Sequence, residues 1–195
     1  MNMHHFFSRA PWIFAFALVA CASSVSVSGF GEKVYYSDSR YVYLLPPRAG
    51  TVSVEEEQEI SGTFGERTFQ AASWIRLNDS TIHVLLFGPM GNTLAELFYA
   101  EDSISFSSKW MDAKKVKPEY ILADLQFCYY PARTLQRHFE TAGFKFAENR
   151  NGGTFDRMLS ENGKVILKME RSENRISLWN GLRGYSYKIR LGEKK

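Results

Sequence analysis

Pro118-Glu119-Tyr120-Ile121-Leu122-Ala123-Asp124-Leu125-Gln126-Phe127-Cys128-Tyr129-Tyr130-Pro131 is the stretch on which the fold of this 195-residue chain turns. Pro118 suits the first position of a helix, where a missing N–H is no loss. Tyr120, Ile121, Leu122, Leu125 and Cys128 then recur at three- and four-residue spacing, which predicts an amphipathic helix. Pro131 ends or kinks it. Ala132 to Ala142 reads as a second helix, with Leu135 and Phe139 on one face and Gly143 at its C-terminal end.

On both sides of this pair the hydrophobic period drops to two. Upstream, Val52, Val54 and Ile60 share one parity, and Ser53, Glu55, Glu57 and Glu59 share the other, as in a strand with one wet face. Thr68 to Leu77 puts Phe69, Ala71, Ile75 and Leu77 on one side. Thr81 to Phe87 is apolar on both faces, so it is covered twice or lines a cavity. Thr93 to Ala100 is another apolar strand, and Ile104, Phe106 and Trp110 alternate with Ser105, Ser107 and Lys109. Val34 to Leu45 is an edge strand or an irregular lead-in, stopped by Pro46-Pro47. Downstream, Phe144 and Phe146 open a second run. Asn162-Gly163 suits a type I′ hairpin, Val165, Leu167 and Met169 alternate with lysines, and Ile176 and Leu178 follow. The last strand, Tyr185 to Leu191, carries Lys188 and Arg190, cations of the kind that blunt a sheet edge.

Meander, two helices, meander predicts an α+β fold. About ten strands make one long curved sheet, and only the central helices are available to cover it. The expected architecture is a half-open antiparallel β-barrel under a two-helix lid, with an apolar concave side and room between sheet and helices.

The N-terminus has a different character. Arg9 precedes the apolar run Pro11 to Ala17, too short to cross a bilayer, which takes roughly 20 residues; small residues follow, as in a secretory signal. Leu18-Val19-Ala20-Cys21 resembles the lipobox of bacterial lipoproteins. The resemblance implies cleavage before Cys21, a diacylglyceryl group on its thiol and acylation of its new amine. It divides the chain into a signal peptide over 1–20, a lipidated tether over 21–32, extended and mobile by composition, and a domain over 33–195. Ala22 in place of Asp implies, by the same resemblance, retention at the periplasmic face of the outer membrane. Ala20-Cys21-Ala22 also fits an ordinary signal-peptidase site, giving a free periplasmic protein, and residues 1–27 could instead be an uncleaved anchor.

The net charge of +3 lacks the strongly basic balance expected of a nucleic-acid partner. Cys128, among Leu125, Phe127, Tyr129 and Tyr130, reads as a packed, inert thiol. His83 and His138 have no Cys or carboxylate set at metal-ligand spacing. There is no Gly-x-Ser-x-Gly elbow and no phosphate-cradling loop. No catalytic residue, metal or cofactor is therefore expected. Glu55-Glu56-Glu57-Glu59 reads as a solvated face or as a docking patch for a basic partner.

Leu122-Ala123-Asp124-Leu125-Gln126, followed by Tyr130-Pro131, resembles the central signature of a family of bacterial lipoproteins of unknown function found with gene clusters for aryl polyenes. Leu86-Phe87-Gly88-Pro89-Met90-Gly91 and the run from Trp179-Asn180 to Gly184-Tyr185 agree with it. The likeness covers most of 51–191, and no catalytic residues are defined for the family. The architecture is similar to that of the lipoprotein carriers LolA and LolB, which hold acyl chains in a half-barrel cavity. This implies a protein that binds or helps transfer an apolar lipid, an aryl-polyene-type product or a lipoprotein's acyl chains. The expected lining is Phe69, Ile75, Leu86, Phe98, Phe106 and Leu167 from the sheet and Leu125 from the lid, with Trp74, Leu85 and Phe87 as the opposite-face alternative. Asp124 and Gln126 would meet a lipid head group or brace neighbouring strands, and Asn180 and Tyr185 read the same way. The alternative function is an assembly or scaffold factor with a packed interior, acting through its surface.

Overall fold

A computed structural model describes residues 23–28, 31–101, 103–109 and 116–192. Strand β1 is Ser23–Ser28, and β2 (Lys33–Tyr35) and β3 (Tyr41–Tyr43) form a separate small hairpin. The first meander is β4 (Val54–Phe64), β5 (Arg67–Leu77), β6 (Thr81–Phe87), β7 (Thr93–Ala100) and β8 (Ser103–Ser108). Helices α1 (Pro118–Tyr129) and α2 (Ala132–Thr141) follow. The second meander is β9 (Lys145–Asn151), β10 (Thr154–Glu161), β11 (Lys164–Arg171), β12 (Arg175–Asn180) and β13 (Tyr185–Leu191).

The two meanders join through β13 and β4. The result is one eleven-stranded sheet in the order β1-β8-β7-β6-β5-β4-β13-β12-β11-β10-β9, with neighbouring strands antiparallel. Ten of these strands come from the two meanders. β1 and β9 are the free edges, and they do not pair, so the barrel stays half open. The fold is α+β, an open curved sheet with a helical lid, as the alternation of periods predicts.

The sheet's inner face follows the sequence parity. Ile75, Leu77, Ile82, Leu97, Tyr99, Ile104 and Phe106 in the first meander, and Leu159, Leu167, Met169, Ile176, Leu178 and Ile189 in the second, are buried in one core. The Asn162-Gly163 turn has positive φ at both residues, +50° and +79°, the backbone a type I′ hairpin needs.

Several expectations change. β13 is central rather than an edge, lying between β4 and β12, and Arg190 pairs with Glu59 of β4 on the outer face. Phe98 lies on the outer face, not the inner. Its neighbours Leu97 and Tyr99 are the inward residues of β7, and its ring meets His83 at 5.3 Å. Ser23–Ser28, within the stretch expected as the tether, pairs with β8 from Ser23↔Ser108 to Ser28↔Ser103. Its Ser-Val alternation suits a strand. Cys21, Trp110 and the signal stretch 1–20 lie outside the described residues. Among the described residues, no helix is long and apolar enough to cross a membrane.

Candidate functional site

The candidate site is the inner face of the sheet where α1 covers it. The sequence suggests an amphipathic α1, but the helix is buried on almost every side. Leu122, Ala123, Asp124, Leu125, Gln126, Phe127, Cys128 and Tyr129 are all buried, and Ile121 is its exposed apolar residue. It is enclosed by the curled sheet and by the β2–β3 hairpin, which packs against it. α2 sits beside the β9 edge with Leu135 and Phe139 turned in.

Being enclosed, α1 must satisfy its polar side chains internally. Gln126 does so by copying a backbone. Its Oε1 accepts the Leu45 N–H at 3.2 Å and its Nε2 donates to the Leu45 carbonyl at 2.6 Å. The following Pro46 has no N–H to offer, and its carbonyl accepts from the Tyr130 hydroxyl at 3.2 Å. Gly50 makes room for that ring, since a Cβ there would sit 2.7 Å from it. The segment after β3 is thus fastened to α1 by side chains.

Asp124 is 3% exposed. Its Oδ2 accepts from the Tyr185 hydroxyl on β13, and Oδ1 has no hydrogen-bond partner among the described residues. Desolvation lifts the carboxyl to a pKa of about 7, against the opposing pull of the Tyr185 hydroxyl, the Arg183 charge and the Asn180 side chain. Asn180 Nδ2 donates to the Tyr185 oxygen at 3.1 Å, and Asn180 Oδ1 accepts the Arg183 N–H at 3.0 Å. The Arg183 guanidinium lies 3.8 Å from the Tyr120 ring centroid and donates to the Tyr35 carbonyl. Asp124, Asn180 and Tyr185, singled out separately in the sequence, form one cluster. They brace α1 against the β12–β13 turn, as buried polar groups must. The thiol of Cys128, one turn along from Asp124, is buried and pushed up to about 12 by desolvation, which leaves it protonated and unreactive.

Sequence reasoning passed over Arg157, which is 3% exposed and pairs with Glu148 directly opposite on β9 at 2.7 Å. Its other arm donates to the Phe127 carbonyl of α1. Parity held the signal: Phe155, Arg157 and Leu159 share the inner side, as do Phe146 and Glu148. Gln58 was missed for the same reason. It is buried on the inner face of β4, where its amide donates to the Tyr129 hydroxyl at 2.7 Å.

Of the residues expected to line a cavity, Phe69, Ile75, Leu86, Phe106 and Leu167 lie on the inner face of the sheet and Leu125 of α1 is buried in the core. Ile75, Phe106 and Leu167 are at most 2% exposed and belong to the packed core. Among the described residues these positions are packed rather than lining an open hollow. The space beside α1, between α2 and the β2–β3 hairpin, is about 10 Å³, room for one water molecule at most. An open trough of about 590 Å³ lies over β10, β11 and β12, lined by Asp156, Met158, Lys168, Glu170 and Arg175. That mixed-charge lining on the outer face suits no hydrocarbon. The outer face of β6 is covered by rings, with Trp74 and Phe98 edge-on to His83, which pairs with Glu96 at 2.7 Å. His138 is remote from that pair, against Phe139 on α2, and burial lowers its pKa.

No curated protein matches this chain. A family model matches residues 55–192, from the start of β4 to the end of β13, and it is described as a protein of unknown function, DUF3261. Spanning both meanders and the helical lid between them, the match shows that the chain belongs to that family.

Proposed function

We propose that the chain is a lipoprotein held at the periplasmic face of the outer membrane through Cys21, and that it binds or helps transfer an apolar lipid under α1. In this reading the half-open sheet is the LolA/LolB-like half-barrel and the structure is its closed state. The supporting observation is the way α1 is held. A permanent plug would be most stable with an apolar residue at its buried centre. This helix instead places Asp124 there, desolvated, with Oδ1 lacking a hydrogen bond among the described residues. Beside its apolar contacts, side-chain hydrogen bonds hold it, among them Gln126 to Leu45, Arg157 to the Phe127 carbonyl and Gln58 to Tyr129.

The energies are compatible with a moving lid. Lifting α1 bares residues such as Leu122, Leu125 and Phe127, at about 1.5–3 kcal/mol each. Burying an acyl or polyene chain of about a dozen carbons returns roughly 0.8 kcal/mol per methylene, on the order of 10 kcal/mol. The burial of α1 in one core with the sheet favours a second reading, an assembly or scaffold factor that works through its surface.

Native mass spectrometry of the full chain after gentle extraction separates the two. Co-purified lipid, or saturable binding of a fluorescent polyene fatty acid, supports the carrier. A lipid-free chain that ignores such a probe overturns the carrier and supports the scaffold.

A further inference from the structure

Antiparallel register fixes which turns share an end of the sheet. The β4–β5, β6–β7, β10–β11 and β12–β13 turns lie at one end, with the last residue of β8 and the first residue of β1. The turns at Asn78–Ser80, at Gly152-Gly153 and at Ser172–Asn174 lie at the other.

The two ends differ in chemistry. Seven large apolar side chains stand exposed among the described residues, and four are at the first end: Phe64 (62%), Met90 (94%), Trp179 (46%) and Leu182 (42%). Phe64 closes β4, Met90 sits in the β6–β7 turn, and Trp179 and Leu182 flank the start of the β12–β13 turn. Exposed Arg67, Lys109 and Lys164 accompany them, against exposed Glu66. None of the seven lies in the turns of the opposite end, where exposed Asp79 and Glu173 sit with exposed Arg175.

The chain also enters at the first end. Ser23 is opposite Ser108, and Cys21 is two residues earlier, a reach of at most ~7 Å. A lipid on Cys21 therefore places its membrane at the end where the exposed apolar side chains gather.

We propose that this end of the sheet is a docking surface for the lipid membrane, with Phe64, Met90, Trp179 and Leu182 seated in the headgroup region and the Asp79–Glu173 end pointing away. The proposal rests on the reading of Cys21 as the lipid anchor. Exposed apolar residues clustered at one end mark an interaction site. Aromatic and aliphatic side chains rimmed by cations are the chemistry that settles at a bilayer surface. Phe64 stacks on Tyr185 at 5.8 Å, and Tyr185 holds Asp124. The docked end is thus the end at which α1 is latched.

The test uses the full chain made in a bacterium and reconstituted into phosphatidylethanolamine–phosphatidylglycerol vesicles containing spin-labelled lipid. An environment-sensitive dye is placed on Leu182→Cys or Met90→Cys, and on Asp79→Cys as the far-end control. The mass of the N-terminal peptide reads acylation of Cys21 in the same sample. The expected result is an acylated chain whose dyes at 182 and 90 are quenched several-fold more than the dye at 79. An acylated chain whose three dyes are equally unquenched, or whose dye at 79 is quenched most, overturns the docking surface and leaves the anchor standing. An unmodified Cys21 overturns the anchor, and the docking surface with it.

Discussion

The Tyr185 hydroxyl of β13 donates to Asp124 of α1, joining the middle of the lid to the last strand of the sheet. This bond satisfies one carboxyl oxygen and leaves the other, also buried, without a hydrogen bond among the described residues, in a cluster with Asn180 and Arg183. Burial, the largest influence on the group, raises its pKa to about 7. In the unfolded chain the same carboxyl titrates near pH ~4. Between those two values the folded state holds the extra proton, so stability declines as pH rises through that window. Asp124→Asn keeps the acceptor and removes the charge. The wild-type melting temperature should fall between pH 5 and pH 8 relative to the variant's, with the two converging at the acid end. A constant difference across that range would show that Asp124 does not titrate there.

Arg157 and Glu148 lie opposite each other beneath α1. Removing one partner of a buried ion pair strands the other, at a cost of about 3–5 kcal/mol. Arg157→Ala should lose that much in urea denaturation, and Arg157→Met with Glu148→Leu should recover most of it. A single substitution without measurable cost would mean that the pair is hydrated.

Gln126 is the pin for the segment after β3. Gln126→Ala removes two hydrogen bonds and leaves the Leu45 amide and carbonyl without that partner, a loss of about 1–3 kcal/mol. The site-specific signature is faster hydrogen exchange at the Leu45 amide, with β11 and β12 unchanged. Uniform acceleration throughout the domain would point to global destabilisation.

Phe106 and Phe98 test the assignment of faces. Phe106→Ala empties a core position, at about 3–5 kcal/mol. Phe98→Ser, on the half-buried outer face, should cost clearly less in the same denaturation experiment. Equal losses would place both rings in one core.

Period carried most of this architecture. Two-residue alternation located the strands of both meanders, and three- and four-residue spacing with Pro118 and Pro131 located α1. Asp124, Asn180 and Tyr185 stood out as polar residues in apolar runs, and the fold brings them together. Parity cannot say which side of a doubly apolar strand is inside, so Phe98 was placed on the wrong face. Nor does composition separate an edge strand from a central one with cations on its wet face, as on β13, where Arg190 pairs with Glu59 across the ladder. The curvature of the sheet, and with it the depth of α1, depends on pairing between Val54–Phe64 and Tyr185–Leu191, distant segments that local pattern does not connect. The expectation of an open hollow comes from a sheet needing cover, and the depth to which α1 is buried against that sheet is not written in local pattern.

Hydrogen exchange at the amides of Leu122 to Tyr129, with and without a polyene fatty acid, bears most directly on the central claim that α1 is a lid. A lid opens without the sheet unfolding. These amides should therefore exchange faster than those of Val84 and Leu97 in the ligand-free chain, and their rates should change when the fatty acid binds. Amides of α1 that exchange only with global unfolding, in a chain whose exchange the fatty acid leaves untouched, would contradict the account.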